Sequence, residues 1–169
     1  LDSVEIVGVR GNIETRLQKL DDSDWKGLIM ASSALERLGM EDRIAQELDP
    51  TTFIPAASQA AIGIEIKSER EQMRRLLTDI SHTQTLLAVR AERQFLRRLE
   101  GGCSVPIGVH ARRENEAWSV YGWVGSLDGE DILRDIERGH EPLDLADALA
   151  GEFLERGAEE IIAGAVDDR

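Results

Sequence analysis

The chain's single cysteine stands in Leu99-Glu100-Gly101-Gly102-Cys103-Ser104-Val105-Pro106, delivered by two glycines and followed by a short apolar run. A lone thiol closes no intrachain disulfide. Two readings of it stay open: a small buried hydrophobe or inert loop thiol, or a nucleophile that anchors a group covalently. The Gly-Gly approach suits the second, because a backbone without Cβ atoms turns tightly and lets a bulky partner come close. The other chemical set is basic. Arg10-Gly11-Asn12 lies where a strand pattern gives way to a helical one, Arg16 follows six residues after Arg10, and Arg37 ends the turn after a second apolar stretch. The carboxyl ends of strands and the N–H groups that open helices are where α/β folds take anions. Singly, each arginine reads as a solvated surface cation. Together, at equivalent edges of one layer in an acidic protein, they point to a carboxylate-rich ligand met by guanidinium forks.

Other constellations carry less. His82, His110 and His140 are widely spaced and only one cysteine accompanies them, so no metal site is expected. No Gly-x-Ser-x-Gly elbow presents a serine nucleophile. Trp25, Trp118 and Trp123 read as packing residues, and Arg90, Arg93 and Arg97-Arg98 as a solvated helix face. Asp128, Asp131 and the Asp167-Asp168 tail read as turn and surface carboxylates. With 33 acidic against 20 basic residues the formal net charge is −13, which argues against nucleic-acid and anionic-membrane partners, since phosphate attraction needs a basic surface. No run approaches the ~18 apolar residues of a membrane span, and no signal-peptide pattern opens the chain. A reduced, cytoplasmic compartment is expected. At 169 residues and 41% hydrophobic composition the chain can bury one good core or two small ones.

The elements that must position these residues follow from periodicity. Residues 4–9 alternate as a strand directly after Leu1, so the chain reads as one entered midway through a domain. Residues 12–20 carry Ile13, Leu17 and Leu20 at helical spacing, and residues 28–31 read as a second strand; strand, helix and strand in that order predict a parallel βαβ unit. A helical turn over 33–38 closes at Gly39, a short helix covers 41–48, and Asp49-Pro50 turns. Residues 62–67 alternate as a strand. Ser68 and Glu71 form a capping-box pattern opening a helix to about residue 79. A longer helix covers 83–99, then strands over 105–111, 117–127 and 131–138 are joined as hairpins through Arg113-Glu114-Asn115 and Asp128-Gly129. Helices over 143–155 and 158–163 end the pattern.

Four stretches in order resemble one family: residues 10–20 (Arg10-Gly11-Asn12-Ile13-Glu14-Thr15-Arg16-Leu17-Gln18-Lys19-Leu20), Leu35-Glu36-Arg37-Leu38-Gly39, Gln59 before Ala61-Ile62-Gly63-Ile64-Glu65, and Leu99 through Gly108 around Cys103. The chain resembles the carboxyl-terminal part of porphobilinogen deaminase, also called hydroxymethylbilane synthase. The resemblance implies an enzyme that joins four porphobilinogen molecules head to tail, releasing ammonia each time, on a dipyrromethane cofactor held through a thioether to Cys103. A thiolate is a suitable nucleophile for the electrophile formed when porphobilinogen loses ammonia. Arg10, Arg16 and Arg37 would pair with the acetate and propionate arms, with Gly11 beside them and Gln59 lining the same cleft. Where the family has Gly-Gln-Gly this chain has Ser58-Gln59-Ala60, and Ala34 stands where a glycine is common. The family's catalytic aspartate, with a lysine and a serine that help hold substrate, lies in its first domain, so the catalytic role is assigned to no residue here.

The fold class implied is α/β plus α+β. Residues 1–54 would be the carboxyl-terminal part of an incomplete, periplasmic-binding-protein-like second α/β domain. Residues 55–78 would return to the absent first domain, and 79–169 would be a small cofactor-anchoring α+β domain with a three-stranded antiparallel sheet and helices. An amino-terminal half, as a separate chain or fragment, is the expected partner beside porphobilinogen. A non-catalytic module that holds pyrrole carboxylates or cofactor, and a structural interaction domain, are the alternatives.

Overall fold

The computed structural model describes residues 4–100 and 105–167, and the chain falls into two units, Leu1–Glu47 and Leu48–Arg169. In the first unit, helix α1 (Ile13–Asp21) opens on Asn12, whose Oδ1 accepts the Thr15 N–H at 2.8 Å, the side-chain cap that short polar residues supply to an orphan helix donor. Gly11 turns the chain into that helix at φ +129°, and a Cβ there would stand 2.8 Å from Thr15 Cγ2. Helix α2 (Ser32–Glu36) is closed by Gly39 at φ +66°, with the Met40 N–H on the Leu35 carbonyl and the Gly39 N–H on the Glu36 carbonyl, both at 3.0 Å. This paired closure needs a left-handed residue, which glycine supplies. A 3₁₀ turn follows at Glu41–Arg43, and Arg43 Nη2 pairs with Asp21 Oδ1 at 2.7 Å. Leu17 and Leu35 are the buried apolar side chains among the unit's described residues.

Several local expectations need correction. Residues 4–9, 28–31 and 62–67 form no strand, and the βαβ unit is not assembled. Their alternation reports strand propensity, but a strand also needs a neighbour to take its N–H and C=O groups. Without one among the described residues several of their apolar side chains stay exposed, Ile6 at 92% and Ile62 at 74%. The helix expected over 41–48 stops after one 3₁₀ turn. Its remaining stretch has no packed face, with Leu48 exposed, and Asp49 before Pro50 disfavours helical backbone. The capping box at Ser68 also fails: helix α3 (Glu71–Ile80) starts at Glu71 without a side-chain cap, and the Ser68 hydroxyl turns to Glu69 Oε2 at 3.3 Å.

From Thr83 onward the second unit agrees closely with the pattern. Helix α4 (Thr83–Arg98) is followed by strands β1 (Ile107–Glu114), β2 (Ala117–Gly125) and β3 (Ile132–Gly139) in the order β1-β2-β3, both pairs antiparallel. Helices α5 (Pro142–Glu155) and α6 (Ala158–Asp167) complete it. The first hairpin turns at Asn115 and Glu116 rather than two residues earlier, because Glu114 still pairs with Ala117 and Asn115 takes φ 58°, a backbone that asparagine tolerates in two-residue turns. One sheet face packs on the helices. Val109, Val120, Val124, Leu149, Phe95 and Phe153 are fully buried there, the two phenylalanine rings edge to face at 5.5 Å. Gly122 is where β2 passes beneath α4 and α5: a Cβ would lie 2.9 Å from both Leu149 Cδ2 and Phe95 Cζ.

The free edge of β1 is also occupied. The Val109 N–H donates to the Pro55 carbonyl at 2.9 Å, and the Ala111 N–H to Glu92 Oε1 at 2.9 Å, so a segment before α3 and a side chain of α4 supply acceptors that an edge strand otherwise lacks. Gly108 permits this approach, since a Cβ would meet the Ile54 carbonyl at 2.7 Å.

Two stability outcomes follow. Gly122→Ala should destabilise the chain by about 1–3 kcal/mol through overpacking, read as a lower thermal midpoint. The second concerns Asp135, whose carboxyl is held below the ordinary aspartate value by the Ile136 N–H and by Arg156, 2.9 Å away. A depressed folded value means stability that is present above the unfolded aspartate pKa of about 3.9 and lost as pH falls through the lower folded one. Asp135→Asn should therefore flatten the acid limb of a stability-against-pH curve and leave its neutral limb in shape.

Candidate functional site

Of the predicted cations of the first unit, Arg10 and Arg16 lie at the opening of α1 and Arg37 lies elsewhere, after α2. Arg16, half-buried, folds back so that its Nε donates to the Gly11 carbonyl at 2.8 Å, while its terminal nitrogens have no hydrogen-bond partner among the described residues. Lys19, one turn further on, donates to the Arg10 carbonyl at 2.9 Å, and the Arg10 side chain is exposed. Arg16 and Lys19 thus both reach back to the two residues before the helix cap, where the first N–H groups add a positive field and Glu14 is the acidic residue of the first turn. Sequence reading had missed Lys19, although its i+3 spacing from Arg16 places both on adjacent positions of one helix surface. Arg37, exposed, follows α2 directly.

Gln59 belongs to the second unit. It sits in a turn of which Ser58 and Ala60 both have left-handed backbone, φ 64° and 68°; its N–H reaches the Ala56 carbonyl at 3.2 Å and its side chain is exposed. The turn is held by Glu92, which is only 6% exposed. Glu92 Oε2 accepts the Ser58 N–H at 2.6 Å, Oε1 accepts the Ala111 N–H at 2.9 Å, and His110 Nδ1 lies 3.7 Å from Oε1. Glu92 was also missed, though a charge on the stripe shared with Ala88, Ala91 and Phe95 is a legible anomaly. Upstream, the Thr51 N–H and hydroxyl, with help from Arg112 and His110, hold the Asp49 carboxyl below its usual range.

Cys103, with Gly101, Gly102 and Ser104, lies outside the described residues. The histidines take local roles: His82 caps α4 through Thr85, His110 stacks on Tyr121 with ring centroids 6.3 Å apart, and His140 Nδ1 lies 3.4 Å from the Glu116 carbonyl. Asp128 ties the β2–β3 loop by accepting from the Ser126 hydroxyl and the Glu130 N–H. Arg98 pairs with Asp147 of α5 at 3.6 Å. No helix among the described residues is long and apolar enough to cross a membrane.

Two family models match the chain: porphobilinogen deaminase, dipyromethane cofactor binding domain, over residues 1–75, and porphobilinogen deaminase, C-terminal domain, over residues 86–155. The porphobilinogen deaminase of Methylobacillus flagellatus is 38% identical over 162 residues, 95% of this chain and 52% of that protein. Those of Syntrophobacter fumaroxidans and Halalkalibacterium halodurans are each 40% identical over 161 residues, 94% of this chain and 52% of theirs. The chain belongs to the porphobilinogen deaminase family. It spans about half the length of the curated relatives it matches.

The three positions where the resemblance led to an expectation of glycine make different demands on the backbone. Ala34 sits within α2, where an alanine is at no disadvantage. Ser58 and Ala60 are different, because both adopt the left-handed backbone that costs an L-residue roughly 1–2 kcal/mol and glycine nearly nothing. The Ser58 hydroxyl is in addition buried with no hydrogen-bond partner among the described residues, a further cost. Ser58→Gly and Ala60→Gly should therefore each raise stability by about 1 kcal/mol, measured by chemical denaturation, with the larger gain at residue 58.

Proposed function

We infer that this chain is the carboxyl-terminal part of a hydroxymethylbilane synthase, which joins four porphobilinogen molecules head to tail with loss of one ammonia at each condensation. The observation that carries the reading is the cluster of Arg10, Arg16 and Lys19 around the opening of α1 in a chain of formal net charge −13. Local cations in an acidic protein suit a ligand with several carboxylates, and the chemistry of that donor set fits the acetate and propionate arms of pyrroles. Dipyrromethane would be held by a thioether to Cys103, with Arg10, Arg16 and Arg37 on its carboxylates, Gly11 admitting them to the helix end, and Gln59 offering an amide to the same cleft. When bound, this group supplies the pyrrole to which incoming units are joined. The chain's own residues bind and orient: guanidinium forks fix each carboxylate in two directions at once, which sets the ring it belongs to.

The domain reading goes with it. Residues 1–54 would complete an α/β domain, 55–78 would return to the first domain, and 79–169 would anchor the cofactor. Exposed Ile62 and Ile64, with Met73, Leu76 and Ile80 of α3, all exposed, support a covering partner for that segment, which we assign to the amino-terminal half of the same enzyme. The strand-like stretches at 4–9, 28–31 and 62–67 would find their neighbours there. The residue that assists deamination belongs to that half too.

The isolated chain is therefore expected to make no hydroxymethylbilane, and co-production with a family amino-terminal half to restore it, measured as uroporphyrin formed from the released product. Robust turnover by the chain alone would overturn the division of labour and direct attention to Glu65 and Asp79. In the complemented enzyme, Arg10→Leu and Arg16→Leu should each lower activity tenfold or more with little change in thermal midpoint, since charge-assisted pairs contribute about 1.5–3 kcal/mol each.

A further inference from the structure

Glu92 is the one carboxylate buried among the described residues, and nothing in the reading above uses it. It stands on the apolar face of α4 beside Ala91 and Phe95, where a charge is tolerated when donors fill its lone pairs. Those donors are two backbone N–H groups from separate segments: Ser58 at 2.6 Å and Ala111 at 2.9 Å. Ser58 is the first of the two left-handed residues that flank Gln59. Non-glycine residues keep such backbone only where their surroundings over-determine it. The Ser58 hydroxyl is buried without a partner among the described residues, and its carbonyl only closes the turn on itself, accepting the Ala61 N–H at 3.1 Å, so the hold on Ser58 from outside the turn comes through its N–H. The second arm of the same carboxylate grips β1, the strand that in sequence continues the Gly101-Gly102-Cys103 segment.

We propose that Glu92 is a positioning residue, whose carboxylate pins the Ser58-Gln59-Ala60 turn to strand β1 and so fixes Gln59 relative to the strand leading from the thiol. The proposal rests on the reading of Gln59 and Cys103 as parts of one pyrrole site. Glycine at both flanking positions would let the turn form unaided; in this chain the carboxylate sustains it.

The test uses the full chain co-produced with a family amino-terminal half, and compares Glu92→Ala, Glu92→Gln and, as a core control of general stability, Val120→Ala. Two quantities are read: hydrogen exchange of the amides of residues 56–61 and 111 against those of β2, and the fraction of intact protein carrying two pyrrole units on Cys103. Glu92→Ala should speed exchange at Ser58 and Ala111 by about tenfold or more relative to β2 and cut the loaded fraction well below that of Val120→Ala. Glu92→Gln, which keeps one acceptor, should fall between. Adding Ser58→Gly and Ala60→Gly to Glu92→Ala should recover loading, because glycine holds the left-handed turn by itself. Should Glu92→Ala fail to fold, Glu92→Gln carries both readouts. Unchanged exchange at Ser58, or loading lost equally in Val120→Ala, would overturn the proposal. A loosened turn with full loading would leave the clamp standing and overturn the assignment of Gln59 to the pyrrole site.

Discussion

A backbone N–H withdrawn from water must meet an acceptor, and much of this chain's architecture follows from where acceptors are supplied. On one side β1 is paired by β2; on its free side the Pro55 carbonyl and the Glu92 carboxylate take the Val109 and Ala111 N–H groups. That capped edge fastens the segment before α3, the long helix α4 and the sheet into one body, and it brings a turn with two left-handed non-glycine residues along with it. Residues 4–9, 28–31 and 62–67 have strand-forming side chains and no such acceptors among the described residues, and they form no strand. The same requirement that builds the second unit leaves those stretches open.

Charge acts on a different scale. A formal net charge of −13 opposes anionic partners at long range, but at physiological ionic strength that influence fades beyond about 8 Å. Within that distance the balance is set locally, by Arg10, Arg16 and Lys19 beside the first N–H groups of α1. Gly11 makes this arrangement possible: its φ of +129° and lack of a Cβ let the chain enter the helix while its carbonyl accepts from Arg16. The carboxylate preference proposed for the chain is thus a property of one helix end.

The second unit from α4 onward was legible in sequence because its signals are local and mutually consistent. The apolar stripe of α4, the alternation of β1 to β3 and the turn residues Asn115 and Gly129 each specify an element whose partner lies nearby in the chain. Strand and helix ends shifted by up to four residues without altering the pattern. The first unit was legible in α1 and α2 and in their caps, Asn12 and Gly39, but not in its strand-like stretches, which depend on pairing partners that periodicity cannot supply. Among site residues, Arg10, Gly11 and Arg16 were visible from their place at a helix opening, whereas Gln59 came from family resemblance alone. Glu92 stands out as a charge in an apolar stripe, but its role was not legible, because its two backbone partners lie 34 and 19 residues away.

The central claim is that this chain carries the anchor and the carboxylate-binding residues of a pyrrole-polymerising enzyme. It is tested most directly by intact mass measurement of the chain co-produced with a family amino-terminal half in cells rich in porphobilinogen. The account predicts added mass equal to two linked pyrrole units, located on Cys103 by peptide mapping and absent from Cys103→Ser. An unmodified, freely alkylated Cys103 in a complex that is otherwise folded and assembled would contradict it.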